Sequence, residues 1–96
     1  MQKIQEVVVH GKPFSISIEE IGDDEGDFDA PAGSIRIHTE SRFKMRVLVH
    51  EMSHAALNES GVEHVLTDDQ AEAVCTAMEG AFGPLLSRLM GERFEL

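Results

Sequence analysis

Residues 48–57 read Leu-Val-His-Glu-Met-Ser-His-Ala-Ala-Leu and contain an H-E-x-x-H motif that begins at His50. The pattern around this motif is helical from about Glu40 to Glu59. One stripe of side chains recurs at three- and four-residue spacing and predicts the buried face of that helix: Phe43, Val47, His50, His54 and Leu57. We expect Thr39 or Ser41 to cap the first turn and Gly61 to end the helix.

The spacing of His50 and His54 is what a metal site on a helix requires. Four residues are just over one helical turn, so both imidazoles project from the same face and can bind one ion. Zinc is the metal that this ligand pair favours. Glu51 lies about 100° further round the helix. It can stand beside the metal as a general base that takes a proton from an attacking water.

A catalytic zinc site needs a third protein ligand, which a following helix can supply. Thr67 and Gln70 form a capping-box pattern that predicts a second helix over about residues 68–80. Its expected packing face is apolar: Ala71, Val74, Cys75 and Met78. Glu72 flanks this face and is the first candidate for the third ligand. The alternatives are His64 and Asp69, and after them Asp68 and Glu79.

Three strands are predicted before the first helix. Residues 5–9 and 14–18 form a hairpin across His10-Gly11-Lys12-Pro13, and residues 34–38 form a third strand. Between them, residues 19–29 contain seven acids and predict a solvated loop. A calcium loop is the alternative interpretation, with acids spaced by two: Asp23, Glu25, Asp27 and Asp29. After the second helix, Gly83-Pro84 predicts a break and a short third helix to about Met90.

The composition places the chain among single globular domains of α+β class, spanning residues 1–96. Its 96 residues include 18 acids and 8 basic side chains, for a formal net charge of −10. That balance disfavours nucleic acid and anionic lipid as partners. The single Cys75 excludes a disulfide within the chain and a multi-cysteine zinc site, and we expect it in the core. No apolar run reaches the length of a membrane span, and no signal peptide is expected.

Residues 48–57, followed by Thr67-Asp68-Asp69-Gln70-Ala71-Glu72-Ala73-Val74, resemble a minimal zincin of the gluzincin type. The chain is most similar to small H-E-x-x-H proteins of bacteriophages and to ImmA/IrrE-like metallopeptidases, over about residues 34–82. The resemblance implies a zinc metallopeptidase of phage origin acting in the cytoplasm of a bacterial host. It also implies that Glu72, in its acid-Ala pair, is the third ligand. A substrate peptide is then expected to lie antiparallel along strand 34–38.

The chain contains no Tyr and no Trp, so the usual tyrosine donor to an oxyanion is missing. His38, at the end of the strand before the first helix, is the preferred substitute. The other candidate donors are His10, His64, Arg36, Arg42 and Arg46. Two further functions compete with peptidase activity. One is a non-catalytic module that keeps zinc as a structural staple and binds a protein partner. The other is a DNA-associated protease of the SprT-like group, which the acidic balance disfavours.

Overall fold

The computed structural model of the chain describes residues 2–3, 5–90 and 94–95. Its strands are β1 (Gln2–Lys3), β2 (Glu6–Val9), β3 (Lys12–Glu19), β4 (Gly26–Asp29), β5 (Ser34–His38) and β6 (Phe94–Glu95). Its helices are α1 (Lys44–Ser60) and α2 (Asp68–Met90), joined by a 3₁₀ turn over Val62–Val65. Strands that precede helices in this way confirm the predicted α+β class.

Strands β2 to β5 form a mixed sheet in the order β2-β3-β5-β4. Strand β5 runs parallel to β3 and antiparallel to β4, while β2 and β3 form an antiparallel hairpin. The core lies between this sheet and α1. Ile35 and Ile37 are fully buried there, as the alternation of residues 34–38 predicts, and Leu48 and Ala55 meet them from the helix.

The expected hairpin between β2 and β3 is confirmed. His10 and Gly11 form its two-residue turn, and both have positive φ, 48° and 78°. Two successive left-handed residues give the turn the twist that matches the flanking strands. A glycine at the second position takes this conformation without steric cost.

The predicted three-stranded sheet has a fourth strand, because the acidic segment contributes β4. Asp27 of β4 pairs with Arg36 of β5, which offsets its charge within the sheet. Gly26 lies so close to α1 that an added Cβ would stand 2.5 Å from Val47 Cγ1. Strand β4 therefore forms an edge of the sheet next to α1, where a charge-rich sequence is well tolerated.

The expected docking of a peptide along residues 34–38 requires a free edge on that strand, and β5 has none. Strand β5 is paired with β3 on one side and with β4 on the other. Within the described part of the chain, β4 pairs with β5 alone. A peptide that adds to this sheet near α1 must therefore pair with β4.

Helix α1 begins at Lys44, later than predicted. Neither Thr39 nor Ser41 caps it, since the N-cap is Phe43 without a side-chain hydrogen bond and the buried Ser41 hydroxyl has no partner. Its end is as predicted, because Gly61 takes the left-handed conformation at φ 82°.

The capping box of α2 is confirmed by two reciprocal hydrogen bonds. Thr67 N donates to Gln70 Oε1 at 2.8 Å, and Gln70 N donates to Thr67 Oγ1 at 3.1 Å.

The predicted break at Gly83-Pro84 is wrong, because α2 continues through Pro84 to Met90. Gly83 is buried against α1, where an added Cβ would lie 3.0 Å from Arg46 Cα. This glycine allows close helix packing, and that packing holds the helix together across the hydrogen bond that Pro84 cannot donate. None of the described helices is long and apolar enough to cross a membrane.

Candidate metal centre

His50, His54 and Glu72 lie together at the contact between α1 and α2. One ligand atom from each falls within 4.8 Å of the other two. Among the described residues this is the one group of three or more such side chains with metal-binding geometry. His64 and Asp69, the alternative third ligands, are exposed and lie outside it.

Two local features of the sequence position these three side chains. The H-E-x-x-H spacing places both imidazoles on one face of α1, with ring centroids 5.0 Å apart. The capping box begins α2 at Asp68, so Glu72 lies in the second turn and faces α1. Its carboxylate lies between the rings, with Oε1 at 2.9 Å from His50 Nε2 and Oε2 at 2.9 Å from His54 Nε2.

The packed face of α2 differs from the prediction in one important respect. Ala71 and Cys75 are buried as expected, but Met78 is 40% exposed. Glu79 and Gly83 continue the packed face at four-residue spacing, so a carboxylate occupies the interface where a methionine was expected. Burial raises the pKa of the Cys75 thiol to about 12, which makes this cysteine an inert part of the core.

Glu79 orients the His50 ring. Its Oε1 lies 2.8 Å from His50 Nδ1, and its Oε2 lies 3.6 Å from Arg46 Nη2. A proton on Nδ1 would be donated to Glu79, which would leave the Nε2 lone pair free to bind a metal. Metal-ligating histidines characteristically donate their second ring N–H to a carboxylate in this way. This role of Glu79 was not predicted from the sequence, which indicated Glu79 only as a candidate ligand. Its position two turns after Glu72 was the available signal.

The donor set fits zinc. Two imidazole nitrogens and one carboxylate make up the three protein ligands of a catalytic zinc site of the His₂Glu type. The His50 and His54 side chains are 14% and 17% exposed, so each ring is held by packing with its Nε2 at the site. Glu72 is 59% exposed, which leaves the centre open to solvent on the α2 side.

Glu51 lies one residue after the first histidine and is 8% exposed. Burial raises the pKa of its carboxyl to about 7, with Glu72 adding to the rise and His50 opposing it. No hydrogen bond or ion pair to this carboxylate is present in the described part of the chain. It lines the same cleft as His50 and Glu72. Such a group is free to hold or accept a proton at the metal centre.

Strand β4 borders the centre on the side away from α2. The Phe28 ring stacks on His54, with centroids 5.9 Å apart and 13° between the planes. Gly26 packs on Glu51, whose Cγ would lie 3.3 Å from an added Cβ. The edge of the sheet therefore runs past both a candidate ligand and the candidate base.

His38 is not brought to this centre. Its Nδ1 accepts a hydrogen bond of 2.9 Å from the Glu40 backbone N–H, and it does not line the cleft beside Glu51. The ring holds the turn between β5 and α1 instead. Two of the four acids of the alternative calcium loop are engaged elsewhere, since Asp27 pairs with Arg36 and Asp29 accepts a hydrogen bond from Ala32 N.

Comparison of the chain with protein-family models, with curated proteins and with solved structures finds no match.

Proposed function

We propose that this protein is a zinc-dependent metallopeptidase-like protein of the minimal zincin type. The observation that carries the proposal is the convergence of His50, His54 and Glu72 beside the buried, unpartnered Glu51. Two of these side chains come from one helix and one from the next, with Glu79 orienting the first histidine. A purely structural cluster would not need an unpaired carboxylate at its side, because burying one is costly.

The chain's own residues have separate roles in this proposal. His50, His54 and Glu72 would hold zinc, which supplies Lewis-acid activation of water and of a carbonyl group. Glu51 accepts the proton of the attacking water and passes it to the leaving amine. A pKa near 7 suits a group that must accept and release a proton at neutral pH. Glu79 keeps the His50 ring in the tautomer that presents Nε2.

The peptide is proposed to add to the sheet at β4. This strand has an edge that is unpaired within the described residues, and its Gly26 and Phe28 contact Glu51 and His54. An extended peptide paired with β4 passes directly beside the candidate base. Main-chain hydrogen bonds would then supply affinity, as in other cases of strand addition.

The test of the metal site is zinc stoichiometry with three matched third-ligand variants. We expect one zinc per chain in the wild type and none in His54→Ala, because losing a ligand removes much of the affinity. Glu72→Gln should weaken zinc binding by orders of magnitude, since a neutral amide is a poor zinc ligand. Asp69→Asn and His64→Ala are the controls and should retain zinc. Stoichiometric zinc in His54→Ala would exclude this site.

Catalysis is tested by Glu51→Gln in the zinc-loaded protein. This variant should keep the metal, because Glu51 is not among the three grouped ligands, and should lose peptide hydrolysis by about 10² or more. Zinc binding without hydrolysis in the wild type would instead favour the non-catalytic module that keeps zinc as a structural staple and binds a protein partner. Loss of zinc from Glu51→Gln would make Glu51 a ligand and contradict the proposed mechanism.

A further inference from the structure

The cleft beside Glu51 is bounded by carboxylates. It has a volume of about 280 Å³ and lies between α1, α2 and the loop that leads into β4. Six acidic side chains line it: Asp23, Asp24, Glu25, Glu51, Glu72 and Glu79. His50 is the one basic residue in the lining. The cleft therefore carries far more negative charge than the metal ligands alone account for.

The acids of this lining fall into two groups. Those on the helices belong to the metal centre, where Glu72 contacts both histidines and Glu79 contacts His50 and Arg46. Those on the loop are Asp23, Asp24 and Glu25. They are exposed, and their side chains make no hydrogen bond or ion pair within the described residues.

Two acids outside the cleft form ion pairs with basic side chains. Asp27 pairs with Arg36, and Glu59 lies 3.2 Å from Lys12. The loop acids have no such partner among the described residues. Glu6, Glu20 and Glu40 are unpaired as well, so the loop acids are distinguished by lining the cleft. The two charges of a divalent metal would be offset by the acids on the helices, Glu72 first among them, and would not remove this excess. The loop would retain about three negative charges at the mouth of the cleft.

Glu51 is a second observation, separate from the loop acids, that points to a ligand in this cleft. Its side chain is more than nine-tenths buried, lines the cleft and has no protein partner in the described residues. A buried carboxylate without a partner costs free energy that a native fold does not normally spend. The Glu51 carboxylate therefore faces a cleft that the loop acids also line, so a group bound there would meet both.

We propose that the peptide cut at this site carries a Lys or Arg side chain next to the scissile bond, and that Asp23, Asp24 and Glu25 receive it. The inference rests on the proposed function and names its substrate class. The aliphatic stem of such a side chain can lie along the cleft while its charged group reaches the loop carboxylates. Electrostatic complementarity of this kind selects one substrate charge and repels the other.

The first experiment compares three fluorogenic peptides of Ala and Gly that differ at one position beside a central Leu. That position holds Lys, norleucine or Glu. We expect kcat/KM for the Lys peptide to exceed that for the norleucine peptide by about tenfold at low salt. The Glu peptide should be the poorest. The Lys preference should shrink in 0.5 M NaCl, because exposed charges are screened there.

Two triple variants separate local recognition from overall charge. Asp23→Asn, Asp24→Asn and Glu25→Gln together should bring the ratio of Lys to norleucine close to one while zinc stoichiometry stays unchanged. The matched control is Glu6→Gln, Glu20→Gln and Glu40→Gln, which changes the net charge equally at exposed acids outside the cleft. It should keep the Lys preference. An equal fall of the Lys-to-norleucine ratio in both triple variants would overturn the inference.

A binding measurement distinguishes failure of the inference from failure of the proposed function. Zinc-loaded Glu51→Gln is titrated with fluorescent forms of the same peptides, which it should bind without cutting. Equal cleavage of the Lys and norleucine peptides by the wild type overturns the inference and leaves the peptidase intact. If the wild type cuts no peptide, but Lys-selective binding is seen and the loop triple variant abolishes it, the peptidase proposal fails and the proposed Lys recognition stands. Absence of both cleavage and selective binding overturns both. Calcium that displaces the Lys peptide from the wild type would make the loop a cation site and also overturn the inference.

Discussion

Glu51 shows how one buried side chain couples its proposed role to stability. Burial raises its pKa from 4.5 to about 7, so the native state holds this proton more tightly than the unfolded chain does. Below pH 4.5 the carboxyl is protonated in both states and has no effect. Between pH 4.5 and about 7 the unfolded chain ionises while the native carboxyl stays protonated, so the metal-free native state loses up to about 3 kcal/mol of stability by pH 7. The same burial that suits the group to proton transfer therefore destabilises the fold at neutral pH.

The first prediction is that Glu51→Gln stabilises the metal-free protein in a pH-dependent way. With chelator present, its free energy of unfolding should exceed that of the wild type by up to about 3 kcal/mol at pH 8. The difference should disappear near pH 4.5. Urea denaturation at several pH values measures it. Glu20→Gln, at an exposed acid, is the control and should show no such dependence. A difference that is the same at all pH values would contradict the raised pKa.

At the scale of elements, the contact between α1 and α2 decides whether the site can form. Ala71, Cys75 and Gly83 are small residues on one face of α2, four and then eight residues apart, and they let the two helices approach closely. This approach brings Glu72 and Glu79 within hydrogen-bond distance of the His50 ring. A wider helix separation would leave those carboxylates in solvent.

Two glycines of α2 give a matched test of that contact. Gly83→Ala should lower the free energy of unfolding by about 1–3 kcal/mol, because its Cβ would lie 2.7 Å from Arg46 Cγ and 3.0 Å from Arg46 Cα. Gly80→Ala, where an added Cβ meets nothing within 4 Å, should raise it by about 0.5–1 kcal/mol. Urea denaturation of both variants measures the difference. Stabilisation by both substitutions would show that the helices are not closely packed at Gly83.

At the scale of the whole molecule, the proposed zinc would join the two helices of a small domain. A chain of 96 residues buries a limited core, so a ligand that binds only the native state contributes a large share of its stability. The ligands come from both helices, and α1 packs directly on the sheet. Metal binding is therefore expected to stabilise the complete fold rather than a local turn.

Zinc is predicted to raise the melting temperature of the wild type by about 10–20 °C at a free concentration of about 100 Kd. This figure follows from about 2.7 kcal/mol of linkage and about 4–8 °C per kcal/mol in a domain of this size. Circular dichroism with zinc and with chelator measures the shift. His54→Ala should lose it and Asp69→Asn should keep it. An equal shift in His54→Ala would mean that the metal binds elsewhere.

Features that depend on near neighbours in the chain could be predicted from the sequence. The hairpin turn at His10-Gly11, the capping box at Thr67 and Gln70 and the left-handed Gly61 each depend on a few adjacent residues. The projection of His50 and His54 from one helical face depends only on helical periodicity. These interactions are local, so their geometry follows from the order of residues.

Features that depend on packing between distant segments were decided only by the tertiary structure. Glu79 reaches His50 across 29 residues, and its place on α2 depends on where Gly83 meets α1. Strand β4 forms because Asp27 finds Arg36 and Gly26 fits against Val47, neither of which periodicity reveals. Strand β4 also covers the outer edge of β5 and packs on Glu51, so the internal position of β5 and the burial of Glu51 both depend on it. Each of these depends on which surfaces come within van der Waals contact, and that depends on the shape of the whole fold.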